Sequence, residues 1–371
     1  MLTAVKPLYD IRKTYRENLE TGPFFEGEVP PASKIGKPID LFGYTVRSPV
    51  GVPAGPLLGS KWIALAGALG FDITTYKTIR SRPRSAHPLP NMVHVRGEEE
   101  PYPSGVTGGA SLPVFTSRGD SPPERALVSV TNSFGNPSMS GEFLMQDIAD
   151  ANGALAEDQL MIVSVFGEAG AGRDPTDDFV EAALLAKEAG AKVIEANFSC
   201  PNLPGGTRSV PSLSPYEDER GVFDAVRKIA SAIRPLPLVV KVGLFETEER
   251  MRNVMVAMAR GGARGLCGIN TVRARIVTPD GAAALGEGRE TGGVCGHVIR
   301  ASALAFVRRA CAINAAEKLG LTVMGVGGIM LPDHFDRFFE AGAEVAMTAT
   351  GMMWEPYLAV NVKERVGGGG V

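Results

Sequence analysis

The sequence predicts an α/β protein built as a (β/α)8 (TIM) barrel with an N-terminal extension and long βα loop insertions. Three observations predict it. Short apolar runs alternate with amphipathic stretches from residue 48 onward, and eight such strand–helix units can be counted. The runs are continuously apolar rather than alternating, as strands are when both faces are covered. Periodicity alone leaves a doubly wound open sheet as the competing arrangement.

The strands follow in order. "SPVGVPAG" (48–55) is the first, and "SKWIALAGALG" (60–70) is its helix, closed by a glycine stop. "DITTYKTI" (72–79) is β-branched and strand-like. Then come "LMIVSVFG" (160–167), "VIEANFS" (193–199), "LVVKVGL" (238–244), "GLCGIN" (265–270), "TVMGVGG" (322–328) and "EVAMTAT" (344–350). Helical patterns lie between them, among them "DDFVEAALLAKEAG" (177–190) and "PDHFDRFFEAGA" (332–343). Residues 1–47 precede the repeat and are expected to pack on the barrel, capping its bottom. The barrel is expected over 48–365, with loop insertions at 80–139 and 271–297 and a flexible tail at 366–371.

The totals bound the function. A chain of 371 residues suits one large barrel, and 44% hydrophobic with 21% charged residues suits a globular core. A net charge of −3 argues against a broad nucleic-acid surface. No apolar stretch approaches the roughly 18 residues of a membrane span, and no secretory signal is evident. The four cysteines (Cys200, Cys267, Cys295, Cys311) show no CxxC spacing, so free thiols in a reducing cytoplasm are expected. The histidines are scattered and form no metal-ligand cluster.

In such barrels chemistry gathers at the C-terminal ends of the strands. Those ends carry Ala54-Gly55, Lys77-Thr78, Asn197 with Ser199 and Cys200, Lys241, Asn270-Thr271, Gly327-Gly328 and Ala349-Thr350. The loop "TNSFGNPS" adds Asn132 and Asn136, and Asn202 follows Cys200. Glycines after the last two strands let backbone N–H groups approach a phosphate. Lysines on near-apolar strands demand an anionic or polar partner. Converging amides suit a planar ring with alternating donors and acceptors. A thiol with an ordinary pKa of about 8.5 can accept a proton, and nearby amides and lysines favour its thiolate. Cys267 and Cys311 are expected as core fillers, Cys295 is open to either reading, and "RSRPR" (80–84) is expected as exposed loop charge.

"YKT", "NSFG", "NFSCPN", "VVKVG", "INT" and "GVGGI", in this order, resemble the dihydroorotate dehydrogenases, and within them the soluble class that uses a cysteine base. The similarity runs from about residue 38 to 360. The resemblance implies FMN at the barrel mouth, with Ala54, Gly55, Lys77, Thr78, Asn197, Lys241 and Ile269 around it. Gly296, Gly327, Gly328, Ala349 and Thr350 would meet its phosphate. The pyrimidine would be held by Lys77, Asn132, Ser133, Phe134, Gly135, Asn136, Asn197, Asn202, Asn270 and Thr271. Cys200 would take the C5 proton while the C6 hydride passes to flavin N5, with Ser199 and Lys77 assisting.

The chain departs from the family pattern at four places. Ala349 stands where glycine is typical, and Asn136 where an apolar residue is usual. "HPLPN" lacks the usual closing arginine, and the 97–126 insertion is long. Alternatives are a dihydropyrimidine dehydrogenase-like flavoenzyme, which would need a partner bearing iron–sulfur clusters, a tRNA dihydrouridine synthase-like protein, and a non-catalytic flavin binder. A homodimer, and an iron–sulfur/FAD electron-transfer subunit as partner, are compatible with the resemblance. Fumarate, a quinone or NAD are all compatible as acceptor.

Overall fold

The computed structural model describes residues 7–31, 37–96, 111–113, 124–168, 174–199 and 219–367. In chain order the strands are β1 (Ile39–Leu41), β2 (Tyr44–Val46), β3 (Val50–Val52), β4 (Ile73–Ile79), β5 (Ser111–Pro113), β6 (Ser129–Asn132) and β7 (Leu160–Val165). They continue as β8 (Val193–Asn197), β9 (Leu238–Val242), β10 (Gly265–Gly268), β11 (Val272–Val277), β12 (Thr291–Gly296), β13 (Thr322–Val326) and β14 (Val345–Met347). The helices are α1 (Tyr15–Thr21), α2 (Ser60–Ala68), α3 (Gly141–Gly153), α4 (Pro175–Glu188), α5 (Glu219–Ala232), α6 (Glu248–Gly261), α7 (Arg300–Ala316), α8 (Pro332–Glu340), α9 (Thr350–Trp354) and α10 (Leu358–Gly367).

Eight parallel strands close in the order β3-β4-β7-β8-β9-β10-β13-β14, which is the (β/α)8 barrel that the eight apolar runs predict. Both faces of these strands are covered. Strands β4, β7, β8 and β9 are buried along their whole length. Local signals start and stop the helices around them. Ser140 and Thr247 accept backbone N–H groups at the starts of α3 and α6, and Asp174-Pro175 opens α4. Gly262 ends α6 in the left-handed region at φ 102°.

The two insertions are not loops alone. Strands β5 and β6 from the first and β11 and β12 from the second form one four-stranded sheet, in the order β5-β11-β12-β6. Along β11, Val272, Ala274 and Ile276 are buried while Arg273 and Arg275 face solvent. That is the period-2 pattern of a one-sided strand. Residues 84–95 run antiparallel beside β6 and the loop that follows it, joined by Arg84–Ser138, His87–Phe134 and Val95–Ser129 backbone hydrogen bonds. The parts of the long insertion at 97–110 and 114–123, and the tail at 368–371, lie outside the described residues.

The N-terminal extension divides between the two ends of the barrel. The β1–β2 hairpin closes the bottom, where Leu41 and Val46 pack with Ile73, Leu160, Val193, Val239 and Val345. Residues 7–25 instead lie at the mouth, anchored by the Leu8 N–H to the Met353 carbonyl at 2.8 Å. Among the described residues of the extension, the bottom apolar cluster takes its members from the hairpin.

A buried ionic knot ties the end of the chain to the start of β4. Asp72, with no exposure, accepts the Lys363 ammonium at 2.6 Å, the Ser48 hydroxyl and Gln159 Nε2 at 3.3 Å. Arg47 stands beside it and pairs with Asp158. Removing one partner of such a pair strands the other charge in the interior. Asp72→Ala is expected to lower unfolding stability by about 3 kcal/mol in urea denaturation, with no shift in midpoint counting against this role.

Candidate active site

A cleft of about 770 Å³, its open mouth included, lies at the C-terminal ends of the barrel strands. Ala54 and Gly55 after β3, Lys77 from β4, Lys241 from β9, and Ile269, Asn270 and Thr271 after β10 border it. Gly327 and Gly328 after β13 and Ala349 and Thr350 after β14 line the neighbouring wall. The four-stranded sheet adds Asn132 and Gly296, and the loop beyond β6 adds Phe134.

Lys241 is 2% exposed, and its ammonium reaches the Ala54 carbonyl at 3.4 Å. That is a long contact for a buried charge, and it leaves donor capacity toward the cleft. One layer deeper, Glu195 and Cys267 fill the barrel interior without exposure. Both Glu195 oxygens lack a hydrogen-bond partner among the described residues. Burial first, and then the Glu195 charge, push the Cys267 thiol well above its usual range, and Lys241 pulls it back. The three groups form an ionisable stack below the cleft.

Asn197, Ser199 and Asn270 form a network immediately before Cys200. The Asn197 Oδ1 accepts the Ser199 N–H at 3.2 Å and Asn270 Nδ2 at 3.3 Å. Asn270 Nδ2 also donates to the Ser199 hydroxyl at 2.8 Å and its carbonyl at 2.9 Å, and Asn270 Oδ1 accepts the Thr271 N–H at 2.9 Å. Asn197 and Ser199 are buried beside the cleft rather than on its wall. Thr78 is also buried, sharing a hydrogen bond with the Ser164 hydroxyl at 3.0 Å, and does not border the cleft. Ser133, Gly135 and Asn136 lie in the same loop as Phe134 but off the wall. Cys200 and Asn202 lie outside the described residues.

Two departures from the family pattern have local reasons. Asn136 sits at φ 51°, a left-handed conformation that asparagine tolerates far better than a branched apolar residue. Asn91, at the end of "HPLPN", is buried and its amide donates to the carbonyls of His87 at 2.9 Å and Pro88 at 3.0 Å. It also reaches the Ser133 carbonyl at 3.4 Å, stitching that segment to the loop after β6.

Sequence reasoning missed part of the wall. Tyr9, Tyr15, Met92, Cys295 and Met353 all border the cleft. Tyr9 and Tyr15 meet the Phe134 ring edge-on, with centroids 5.8 and 6.2 Å apart. The apolar spacing of Leu8, Tyr9, Tyr15 and Leu19 was the available signal for a packed segment. Nothing in that spacing says which end of the barrel it covers. The expectation that "RSRPR" is exposed loop charge holds for Arg82 but not for Arg80, which is 3% exposed and hydrogen-bonded, and Arg84 is half-buried. Among the described residues no group of three or more His, Cys, Asp or Glu is placed to hold a metal, and no helix is long and apolar enough to cross a membrane.

Burial pushes the thiols of Cys295 and Cys311 up to about 11. At pH 8 a raised pKa leaves each almost wholly protonated, on the order of one part in a thousand thiolate. In native protein at pH 8, iodoacetamide is expected to label Cys267, Cys295 and Cys311 about a hundredfold more slowly than a peptide thiol. Mass mapping with and without denaturant checks this, and fast native labelling of Cys267 would contradict it.

The family model for dihydroorotate dehydrogenase matches residues 119–367. A dihydroorotate dehydrogenase from Dictyostelium discoideum is 39% identical over 366 residues, covering 96% of each chain. The catalytic subunit of dihydroorotate dehydrogenase B (NAD(+)) from Desulforudis audaxviator is 25% identical, covering 89% of this chain and 91% of that one. In three dimensions, DHODH from Eimeria tenella, solved in complex with ferulenol, shares the fold with a TM-score of 0.70 at 16% identity, over 94% of this chain and 88% of that one. With two thirds of its length under the family model and a relative this similar from end to end, the chain is a member of the dihydroorotate dehydrogenase family, oxidoreductases that act on a CH–CH bond.

Proposed function

We propose that the chain oxidises (S)-dihydroorotate to orotate with FMN as cofactor and Cys200 as the base. The observation that carries this reading is the Asn197–Ser199–Asn270 network, which ends one residue before Cys200 in sequence and, through Asn270, adjoins the cleft bordered by Lys77 and Lys241. The residues present fit a flavin. Lys241 is a buried ammonium with one long contact to a carbonyl, which suits a polar ring edge that gains negative charge. FMN, when bound, supplies the acceptor for the hydride from substrate C6.

The chain's own residues have the remaining tasks. Lys241, Lys77, Ala54, Gly55 and Ile269 would border the ring, and Gly296, Gly327, Gly328, Ala349 and Thr350 would offer backbone donors to the phosphate. Asn132, Asn270 and Thr271 would orient the pyrimidine, with the Asn270 amide nitrogen committed to Asn197 and Ser199 and its oxygen keeping one lone pair beyond the Thr271 N–H. Asn197 would act through its hold on Ser199 and Asn270. Cys200 would remove the C5 proton, with the Ser199 hydroxyl beside it in sequence and fixed by Asn270.

Anaerobic titration of flavin-loaded protein with dihydroorotate tests the reading, and stoichiometric bleaching of the flavin absorbance is the expected result. A flavin that stays oxidised would remove dihydroorotate as substrate. Cys200→Ala is expected to keep FMN and slow flavin reduction by about a hundredfold at pH 7, whereas near-normal reduction would refute the base assignment. Lys241→Ala is expected to purify with substoichiometric FMN, and full loading would count against its role.

A further inference from the structure

The loop after β6 follows a backbone path that needs holding. Gly135 has φ 76° and Asn136 φ 51°, and a Cβ on Gly135 would stand 2.4 Å from His87 Nε2. Consecutive left-handed residues are costly unless the surroundings fix them. Arg80, just past β4 and almost fully buried, is what fixes these two. Its Nε donates to the Asn136 carbonyl at 2.7 Å and a terminal nitrogen reaches the Gly135 carbonyl at 3.4 Å. Its other terminal nitrogen pairs with Glu168 at 2.6 Å, beyond the end of β7, and the guanidinium lies 4.8 Å over the Phe166 ring.

The clamp is braced at both ends. The Arg80 N–H donates to the Ser138 hydroxyl at 3.0 Å, so the same residue grips the loop by backbone and side chain. Glu168 also pairs with Arg84, whose backbone exchanges two hydrogen bonds with Ser138. The Glu168 N–H donates to Asp178 Oδ2 at 2.8 Å, tying the brace to α4. A trans peptide sets its C=O and N–H on opposite sides. Drawing the Gly135 carbonyl toward Arg80 therefore turns the Asn136 N–H away from it, and the peptide cannot rotate without losing a charge-assisted hydrogen bond.

We propose that Arg80, backed by Glu168, is a positioning residue that holds residues 132–136 in the shape that binds the substrate, setting affinity for the pyrimidine acid and not for the flavin. This rests on the reading of that loop as part of the substrate site, where Asn132 and Phe134 border the cleft. The hydrogen-bond and ion-pair partners of Arg80 named above, Gly135, Asn136, Ser138 and Glu168, are not among the residues proposed to hold the flavin, so the two affinities are expected to separate.

The test compares flavin-loaded wild type with Arg80→Met, Arg80→Lys and Glu168→Gln. Arg80→Met is expected to raise the KM for dihydroorotate and the Kd for orotate, read from the flavin spectrum, by about tenfold or more. In the same variant kcat is expected to fall by less than about threefold and FMN content to stay at wild-type level. Arg80→Lys should recover part of the affinity, and Glu168→Gln should fall between. Unchanged KM and Kd would overturn the proposal, and so would FMN loss in step with substrate affinity, which would mark a general structural role. If Arg80→Met yields no folded protein, Glu168→Gln carries the same comparison, since it keeps the guanidinium and removes only the charge of its partner. Amide exchange across 132–138 needs no substrate and is expected to quicken in the variants. If wild-type flavin is not reduced by dihydroorotate the functional reading falls, and unchanged exchange then sinks the clamp separately.

Discussion

A closed parallel barrel must fill its own interior, and in this chain the upper part of the filling is ionisable. Glu195, Lys241 and Cys267 sit where neighbouring strands leave no solvent, in a medium where isolated charges are expensive. The rest of the site follows from that constraint. The lysine is tolerable because the strand ends above it open into a cleft rather than a sealed core. The layer below, Ile73, Leu160, Val193 and Val239, is wholly apolar and is capped by the β1–β2 hairpin. Polarity therefore rises along the barrel axis in one direction, and the chemistry collects at its upper end.

The cleft owes its walls to segments that are remote in sequence. The N-terminal residues 7–25 put two tyrosines on it, the sheet built from both insertions supplies Asn132 and Gly296, and the ends of β13 and β14 supply the glycine-rich wall. Each of these is anchored by backbone hydrogen bonds to a neighbour rather than by its own local structure. Leu8 holds to Met353, residues 84–95 hold to residues 128–138, and Asn91 closes a turn against Ser133. Loops held this way can carry strained residues such as Asn136, because the cost is spread over a rigid frame.

Much of the barrel was legible because burial on both faces leaves a plain mark, an unbroken apolar run bounded by polar residues. Lys77 and Lys241 stood out for the same reason, as charges inside such runs. What was not legible depends on partners distant in sequence. The alternation in "TVRARIV" signals a strand, yet its pairing with β5 on one side and β12 on the other is fixed only by the fold. Arg80 reads as loop charge until Glu168, 88 residues on, is brought beside it. Asn136 reads as an anomaly of composition, while its backbone angle supplies the reason. Thr78 shows another such link, its hydroxyl meeting that of Ser164, 86 residues on.

The sheet made from the two insertions has a metric consequence. Gly293 of β12 lies opposite Asn132 of β6, and Gly296 lies opposite Ser129. The two strands thus carry a proposed substrate contact and a proposed phosphate contact three residues apart, a span of about 10 Å at the usual rise of a strand. A strand does not stretch, and a slip by one residue would turn every side chain to the opposite face. The distance between the two ends of whatever lies in the cleft is therefore written into a ladder of hydrogen bonds, and β12 serves the site as a ruler.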